Sequence, residues 1–495
     1  MATIMSKQGN VDNVVTYEHY CDTVADLDNI PYNESTLGSV AVVLVGESGG
    51  LEIYIANSEH EWIPLVSGGG GGDITVEPIT ITENGLYTAE EGTAYNPINV
   101  TIEHSDLEKA LIERTISGIY NNSTISQVGN YALEKTNLTE VILPNCLEVH
   151  SHAFRNSELL EKISLPNVTV IGYYAFGYTN IKSISFPKCQ EIDQYAFVGC
   201  TSLSTATLPK CTSINAYAFT VCGLQEVSLP VCSYIAEKAF SGCTNLTTIS
   251  LPQCSFISHS TFRDCTNLTS VYMPLCEFIG DGAFYSCSNL TNVSLPMCSH
   301  LGSVAFANCE KLTNVFLPNC TVIPSTAFAN CYSLSYIDLP SCLTIFRLAF
   351  NNCTSLESIN IPICESINEQ AFSKCTSLKN INAPMCTSIG SSAFYSCTNL
   401  SVISFAKCTL ISYFAFSDCH RLLSAYFLGQ SVPVLGGSTD FYHTPIDNYT
   451  SYTSGVVGSI YVRASMLSKF QSATNWVYFS SRMVGLTDEE IAALS

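Results

Sequence analysis

The sequence contains few charged residues, and basic residues are the scarcest of them. Only 13% of the 495 residues are charged, and 42 Asp+Glu against 20 Lys+Arg give a formal net charge of -22 at pH 7. Residues 1–135 hold 20 acidic and 4 basic side chains, a net charge of -16. Because a chain of this sign repels phosphate backbones, nucleic acid is excluded as an expected partner.

Long apolar runs are also missing. No stretch approaches the roughly 18 apolar residues that span a bilayer, and no basic patch precedes an apolar run near the start. The chain ends with polar and acidic residues, among them Asp488, Glu489 and Glu490. We therefore expect no membrane insertion, no secretory leader and no C-terminal anchor, with synthesis in the cytoplasm of the producing cell.

Motifs for metal-dependent or phosphate chemistry are absent as well. The sequence has no H-E-x-x-H and no P-loop, and its 9 histidines form no cluster. The glycine run at 68–72 lacks the lysine of a phosphate-binding loop. The sequence thus predicts a non-enzymatic protein with no catalytic residue, no metal site and no cofactor.

The dominant feature of the chain is a repeat of 21 or 22 residues between about residues 119 and 428. A regular period of this length indicates a stacked solenoid, in which each turn buries its apolar side against its neighbours. An Ala-Phe pair or a near equivalent marks the same place in every turn, at Leu133, Phe154, Phe176, Phe197, Phe219, Phe240, Phe262, Phe284, Phe306, Phe328, Phe350, Phe372, Phe394 and Phe416.

One turn shows which side chains are expected in the core. Leu246, Ile249, Leu251 and Cys254 follow the spacing L-x-x-L-x-L-x-x-C of a leucine-rich-repeat strand. Since side chains alternate across a strand, we expect Ile249 and Leu251 to face inward and Ser250 to face the solvent. The sequence therefore predicts a leucine-rich-repeat solenoid of about fourteen turns with a parallel sheet on one face.

The cysteines form two rows that repeat with the same period, apart from Cys21. The first row is Cys146, Cys189, Cys211, Cys232, Cys254, Cys276, Cys298, Cys320, Cys342, Cys364, Cys386 and Cys408. The second row is Cys200, Cys222, Cys243, Cys265, Cys287, Cys309, Cys331, Cys353, Cys375, Cys397 and Cys419. Equivalent residues of stacked turns lie about 4.8 Å apart with parallel side chains, whereas a disulfide needs Cβ atoms about 3.8 Å apart that point at each other. We predict buried, reduced thiols that act as small apolar side chains.

Composition divides the chain into several segments. Apolar runs at Val42–Val45 and Leu51–Ile55, separated by a glycine-rich turn, predict a β-hairpin. A capping-box spacing that begins at Ser105 predicts a helix over the first solenoid turn. In the C-terminal region we expect a strand at Ser459–Val462 and a helix near Ala464–Ser472. The predicted segments are a β-rich module at 1–66, a Gly-rich linker at 67–72, a short β module at 73–104, a capping helix at 105–118, the solenoid at 119–428 and an α+β cap at 429–495.

The consensus turn, L-x-x-I-x-L-P-x-C-x-x-I-x-x-x-A-F-x-x-C-x-x-L, resembles the BspA-type leucine-rich repeat over residues 119–428, about three fifths of the chain. The resemblance implies a right-handed solenoid with a parallel sheet on one side. The resemblance says less about function than about fold, because members of that family serve as adhesins, surface proteins and phage components alike.

Segments on both sides of the repeat resemble phage proteins. Cys21–Leu27 together with Gly38–Ala41 is similar to an N-terminal module of phage tail and head-fibre proteins. Ile81–Ala89 resembles a β element of phage and prophage structural proteins in gut bacteria, and Gly458–Val462 resembles the end of many such repeat chains. These resemblances imply a virion component that docks to the particle through its N-terminal module.

The outward-facing strand column contains the candidate binding residues. Most of its members are small and polar, but Tyr272 and Phe316 are aromatic and Asp338 is charged, and Tyr336 lies beside them. Exposed aromatic rings next to polar groups suit sugar rings or protein hot spots. The alternative is a set of surface aromatics without a ligand, which is common in proteins. The whole column is Ile142, Ser164, Ser185, Thr207, Ser228, Ser250, Tyr272, Ser294, Phe316, Asp338, Asn360, Asn382, Ser404 and Tyr426.

Two functional hypotheses follow from the repeat and its flanks. The first is a phage or prophage virion protein, such as a head or tail fibre or a decoration protein. Its N-terminal module contacts capsid or tail proteins, and its solenoid binds a glycan or protein on a host surface. The alternative is a bacterial cell-surface adhesin or host-interaction protein. Assembly of several copies of the chain is compatible with either hypothesis.

Overall fold

The computed structural model of the chain describes residues 116–447 and 457–494 with their side chains, and the backbone of five strands nearer the N-terminus. Its contacts divide the chain into two compact units, Met1–Asn99 and Val100–Ser495. Among the described residues, no helix combines the length and the apolar character that crossing a membrane requires.

The N-terminal unit contains a five-stranded sheet. Its strands, in sheet order, are Met5–Val11, Val14–Cys21, Val40–Val45, Gly50–Ala56 and Trp62–Pro64. The third and fourth strands pair antiparallel, which confirms the predicted hairpin. Three predicted segments lie outside the described residues: the linker at 67–72, the β module at 73–104 and residues 105–115 of the capping helix. Residues 117 and 118, which the predicted helix included, belong to the first solenoid strand.

The larger unit is a parallel-strand solenoid of about 16 turns. Its longer strands, here called the first strand series, join parallel neighbours in four successive sheets. The series consists of Ser117–Asn121, Asn137–Ile142, Lys162–Ser164, Ser183–Ser185, Thr205–Thr207, Glu226–Ser228, Thr248–Ser250, Ser270–Tyr272, Asn292–Ser294, Asn314–Phe316, Tyr336–Asp338, Ser358–Asn360, Asn380–Asn382, Val402–Ser404, Ser424–Phe427, Ser459–Arg463 and Met483–Leu486. Leucine-rich-repeat solenoid architecture is therefore confirmed.

A second strand series, which the sequence analysis did not predict, contributes one two-residue strand per turn. These strands pair in parallel in a nine-stranded and a six-stranded sheet. The series consists of Gln127–Val128, Glu148–Val149, Val170–Ile171, Glu191–Ile192, Ser213–Ile214, Tyr234–Ile235, Phe256–Ile257, Phe278–Ile279, His300–Leu301, Val322–Ile323, Thr344–Ile345, Ser366–Ile367, Ser388–Ile389, Leu410–Ile411 and Val434–Leu435. The second residue of each strand is buried, so the second series closes the core on another side.

The core follows the predicted apolar columns. Ile249 and Leu251 are buried and Ser250 is exposed, as expected from strand alternation. The phenylalanines form one continuous stack, with ring centroids 5.0 Å apart for Phe154–Phe176 and 5.6 Å apart for Phe306–Phe328. Each fully buried aromatic ring stabilises the fold by roughly 1.5–3 kcal/mol through apolar burial.

The cysteines with described side chains are free and buried, which confirms the predicted thiol rows. In the second row each thiol donates to the carbonyl of the phenylalanine one turn earlier, for example Cys265 Sγ to Phe240 O at 3.2 Å. First-row thiols mostly donate two residues ahead, as Cys254 does to Phe256 O at 3.2 Å. Burial raises the pKa of the Cys243 thiol to about 12, so the reactive thiolate is scarce at neutral pH.

The C-terminal region continues the stack instead of ending it near residue 428. Phe441 stacks on Phe416 with ring centroids 5.4 Å apart, and Ser459–Arg463 pairs in parallel with Ser424–Phe427. The buried Trp476 donates its indole N–H to the carbonyl of Pro433 at 2.6 Å. The predicted strand and helix are present, followed by further short elements. The helices are the 3-10 helix Ala464–Met466, the α-helix Leu467–Ser472, the 3-10 helix Trp476–Arg482 and the α-helix Asp488–Ala492.

Candidate binding face

The first strand series presents an outer surface that we call the strand face. It consists of the first and third residues of the strands, because the middle residue of each strand points into the core. In the strand Ser270–Tyr272 the burial alternates in this way, with Val271 inward and both neighbours exposed. Parallel pairing in register then stacks equivalent side chains of successive turns about 4.8 Å apart.

Three aromatic side chains stand out on the strand face. Tyr272 is 59% exposed, and Phe316 and Tyr336 are each 49% exposed. None of the three stacks on another ring of the described chain, unlike the aromatic rows elsewhere in the solenoid. Their ring faces are therefore accessible to a partner.

The structure brings three of the four predicted site residues together. Phe316 lies directly opposite Asp338 in the pairing of adjacent strands. Tyr336 precedes Asp338 by two residues in the same strand, so both side chains point to the same side. Tyr272 is separated from Phe316 by the strand that carries Ser294, and it therefore lies about 10 Å from the group.

Polar side chains around the group are joined into rows along the solenoid. Asn314 donates its amide to Asn292 Oδ1 at 2.7 Å and to Thr313 Oγ1 at 3.2 Å. On the other side, Asn360 donates to Asp338 Oδ1 at 2.7 Å. Asp338 is half-buried, and no Lys, Arg or His of the described chain lies within ion-pair distance of it. It is thus a carboxylate without a cationic partner in a part of the strand face whose other side chains are uncharged.

Two further aromatic rows were missed by the sequence analysis. Tyr234, Phe256, Phe278 and His300 stack in adjacent strands of the second series, and Phe278–His300 centroids are 4.3 Å apart. The other row lies in the loops before the core phenylalanines and comprises Tyr131, His152, Tyr174, Tyr195 and Tyr217. Reading the other columns of the repeat for consecutive aromatics would have found both rows. Their rings cover one another, so they offer mainly ring edges to a partner.

Metal binding and hydrolase chemistry each need a recognisable arrangement of residues. The described part of the chain contains no group of three or more His, Cys, Asp or Glu side chains placed to hold a metal ion. One G-x-S-x-G sequence occurs, at 46–50. It joins the antiparallel strands Val40–Val45 and Gly50–Ala56, whereas the nucleophile elbow of hydrolases joins a strand to a helix.

The repeat also matches a known family. The model of the family described as BspA type Leucine rich repeat region (6 copies) matches residues 113–204, 190–296, 277–383 and 344–454. Together these ranges cover well over half of the chain. The chain belongs to the BspA-type leucine-rich-repeat family. Its strand face is therefore the strand face of a BspA-type solenoid.

Several solved structures are similar to this BspA-type chain. A leucine-rich repeat protein from Bacteroides ovatus is 23% identical, with 66% of this chain and 92% of that chain covered and a TM-score of 0.49. A leucine rich cell surface protein from Faecalibacterium prausnitzii is 21% identical, with 64% and 89% covered and a TM-score of 0.35. A leucine-rich repeat protein from Eubacterium ventriosum is 22% identical, with 61% and 87% covered and a TM-score of 0.39. No curated protein matches the sequence.

Proposed function

We propose that the chain is a non-catalytic binding protein that attaches to a glycan or protein on a cell surface through its strand face, as a bacterial adhesin does. The observation that carries the proposal is the set of exposed, unstacked rings of Tyr272, Phe316 and Tyr336 in a column of small polar residues. Aromatic rings with free faces supply most of the binding energy at protein hot spots and in sugar recognition.

The chemistry of the solenoid supports work outside the cytoplasm. Its described thiols are buried and hydrogen-bonded, so an oxidising environment finds no exposed thiol in this part of the chain. Its outer columns are rich in uncharged Ser, Thr and Asn, which leaves recognition to a few larger side chains. Both features suit a protein displayed to other cells.

The hypothesis of a virion component stays a prediction. It depends on the resemblance of three segments to phage proteins, namely Cys21–Leu27 with Gly38–Ala41, Ile81–Ala89 and Gly458–Val462. For residues 1–66 the structure describes only strand backbone. The strand face would serve a fibre and an adhesin equally, because both hold an extended surface against a cell. The two hypotheses differ in where the chain is attached.

A binding assay tests the proposal. Fluorescently labelled full-length protein is added to cultured epithelial cells and to mucin-coated plates, and bound protein is measured over a concentration series. We expect the variant Tyr272→Ala/Phe316→Ala/Tyr336→Ala to lose most of the binding, since each hot-spot ring contributes about 1–2 kcal/mol. Its melting temperature should stay close to that of the unchanged protein because the three rings are exposed.

The matched control is Tyr332→Ala/Tyr413→Ala. These tyrosines are 38% and 57% exposed but lie outside the strand face, so the control removes apolar surface without touching the proposed site. The control should bind as the unchanged protein does. Equal binding by both variants and the unchanged protein would remove the strand face from the function.

A further inference from the structure

We propose that the centre of the strand face, formed by Phe316, Tyr336 and Asp338, binds an arginine side chain of a partner protein. The inference rests on the proposed binding function and names the chemistry of its ligand. It starts from one charge: in the strands between Thr248 and Ser404, Asp338 is the one residue of the strand face that carries a formal charge.

The carboxylate of Asp338 has capacity for an ionic partner. Its Oδ1 accepts a hydrogen bond from the neutral Asn360 amide, and no cation of the described chain neutralises it. Two basic residues of the same and the next turn are engaged elsewhere, since Lys379 pairs with Glu357 and Arg347 pairs with Glu369 at 3.4 Å. A half-buried carboxylate without a cationic partner is stabilised by a charge-assisted hydrogen bond from a cationic donor of a partner molecule.

The two rings select the shape of the donor. Phe316 faces Asp338 across adjacent strands, and Tyr336 lies two residues before it on the same side. A guanidinium is planar, so it can stack on one ring while its N–H edge reaches the carboxylate. An ammonium group is compact and strongly hydrated and makes no stacking contact, so the arrangement favours arginine over lysine.

The neighbouring polar side chains argue against a neutral sugar. A glycan needs several free hydrogen-bonding groups, but Asn292 and Asn314 are bonded to each other and to threonine hydroxyls. Hydroxyls of the same row also bond to backbone, as Thr291 Oγ1 does to Thr269 O at 3.1 Å. The 360 residues after residue 135, which include this part of the strand face, carry a net charge of -6, and this charge adds attraction for a cationic partner.

The test uses the full chain and a fluorescent glycine-rich peptide that carries arginine, compared with the same peptide in which citrulline replaces arginine. Citrulline keeps the planar shape and removes the charge. Fluorescence anisotropy should show the arginine peptide binding about three- to fivefold tighter than the citrulline peptide, the effect expected of an exposed ion pair and a cation–π contact. Asp338→Asn should abolish that difference, and Phe316→Leu should weaken binding of the arginine peptide.

Glu310→Gln is the matched control, because Glu310 is exposed in a loop away from the strand face and its loss changes the net charge equally. It should keep the preference for arginine. Equal affinity for the two peptides, or a preference that survives Asp338→Asn, overturns the inference. Saturable binding of N-acetyllactosamine without arginine preference also overturns it, but leaves the proposed function standing if the triple aromatic variant still fails to bind cells.

Discussion

At the scale of single residues, Asp440 takes the place that alanine holds before almost every other core phenylalanine. Its side chain is buried and accepts hydrogen bonds from the backbone N–H groups of Phe414 at 3.1 Å and Gly437 at 3.2 Å. One turn earlier the equivalent N–H, that of Ser392, donates to the carbonyl of Tyr413. The carboxylate of Asp440 thus replaces a backbone acceptor that the longer last turn does not supply.

The environment of Asp440 predicts a pH-dependent end of the solenoid. Burial raises the pKa of this carboxyl to about 7, despite the backbone N–H donors that oppose the shift. A raised folded-state pKa adds stability that is fully present below the ordinary value near 3.8 and is lost as pH rises through about 7. We therefore expect the melting temperature of the C-terminal turns to fall between about pH 4 and about pH 7 and to level off above that.

Fluorescence of Trp476 in a Trp62→Phe background reports on this region, because Trp476 is buried beside Phe441. Asp440→Asn keeps one acceptor and cannot titrate, so its melting temperature should vary less over the same range. The contact between His443 Nδ1 and Asp418 Oδ1 at 2.8 Å is present in both proteins, and the comparison therefore isolates Asp440. An unchanged pH profile in the variant would contradict the assignment.

The sequence predicts where a single residue lies in the fold only if that residue belongs to the regular 22-residue repeat. The thiols of both rows were placed correctly, since a 22-residue spacing puts them in stacked core columns. The same spacing places Phe316 opposite Asp338, because the two positions differ by one full turn. Asp440 was not predicted, since it lies beyond the regular repeat and its acceptor role depends on the path of one longer loop.

At the scale of repeated elements, the phenylalanine stack predicts where the solenoid is most sensitive to substitution. Phe328 is fully buried between Phe306 and Phe350, with centroid distances of 5.6 Å and 5.4 Å. Phe328→Ala leaves a cavity that both neighbouring turns share, and we expect a loss of about 3–5 kcal/mol in the free energy of unfolding. Urea denaturation followed by circular dichroism measures the change.

The control for this prediction is Phe316→Ala, which removes the same side chain from the exposed strand face. Its cost should stay within about 0.5 kcal/mol, since little buried surface is lost. Because each turn contacts only its neighbours, the Phe328 variant should also show a broader transition as the stack is weakened in its middle. Equal losses in the two variants would mean that the ring stack is not a main source of stability.

The second strand series could not be predicted from the sequence pattern of a single turn. Its strands are two residues long, too short for the alternation that identifies a strand in sequence. In the loops that follow, residues such as Tyr174 and Leu348 have positive φ angles, 55° and 58°. Residues other than glycine rarely adopt such angles. Backbone bonds to the next turn, such as Leu348 N–H to Glu369 O at 3.0 Å, stabilise that conformation whatever the side chain.

At the scale of the whole molecule, charge and sequence character separate the N-terminal part from the solenoid. The first 135 residues carry -16 of the total -22, so the remaining 360 residues carry only -6. The apolar core of the solenoid and the strand face proposed to bind a partner both lie outside residues 1–66. We propose that residues 1–66 have a separate role, such as attachment to a larger structure, which remains to be tested.

Attachment is the property that distinguishes the adhesin from the virion component. Gold-labelled antibodies against residues 1–66 and against the solenoid would be applied to producing cells and to particles purified from the same culture. If the chain is a surface adhesin, as we propose, both antibodies should label the cell envelope, and the solenoid antibody should block binding to epithelial cells. Labelled particles with unlabelled envelopes would favour the virion hypothesis, and deletion of residues 1–66 should then release the solenoid from the particles. The strand face would keep its proposed binding role in either case, since its rings and its carboxylate belong to the solenoid alone.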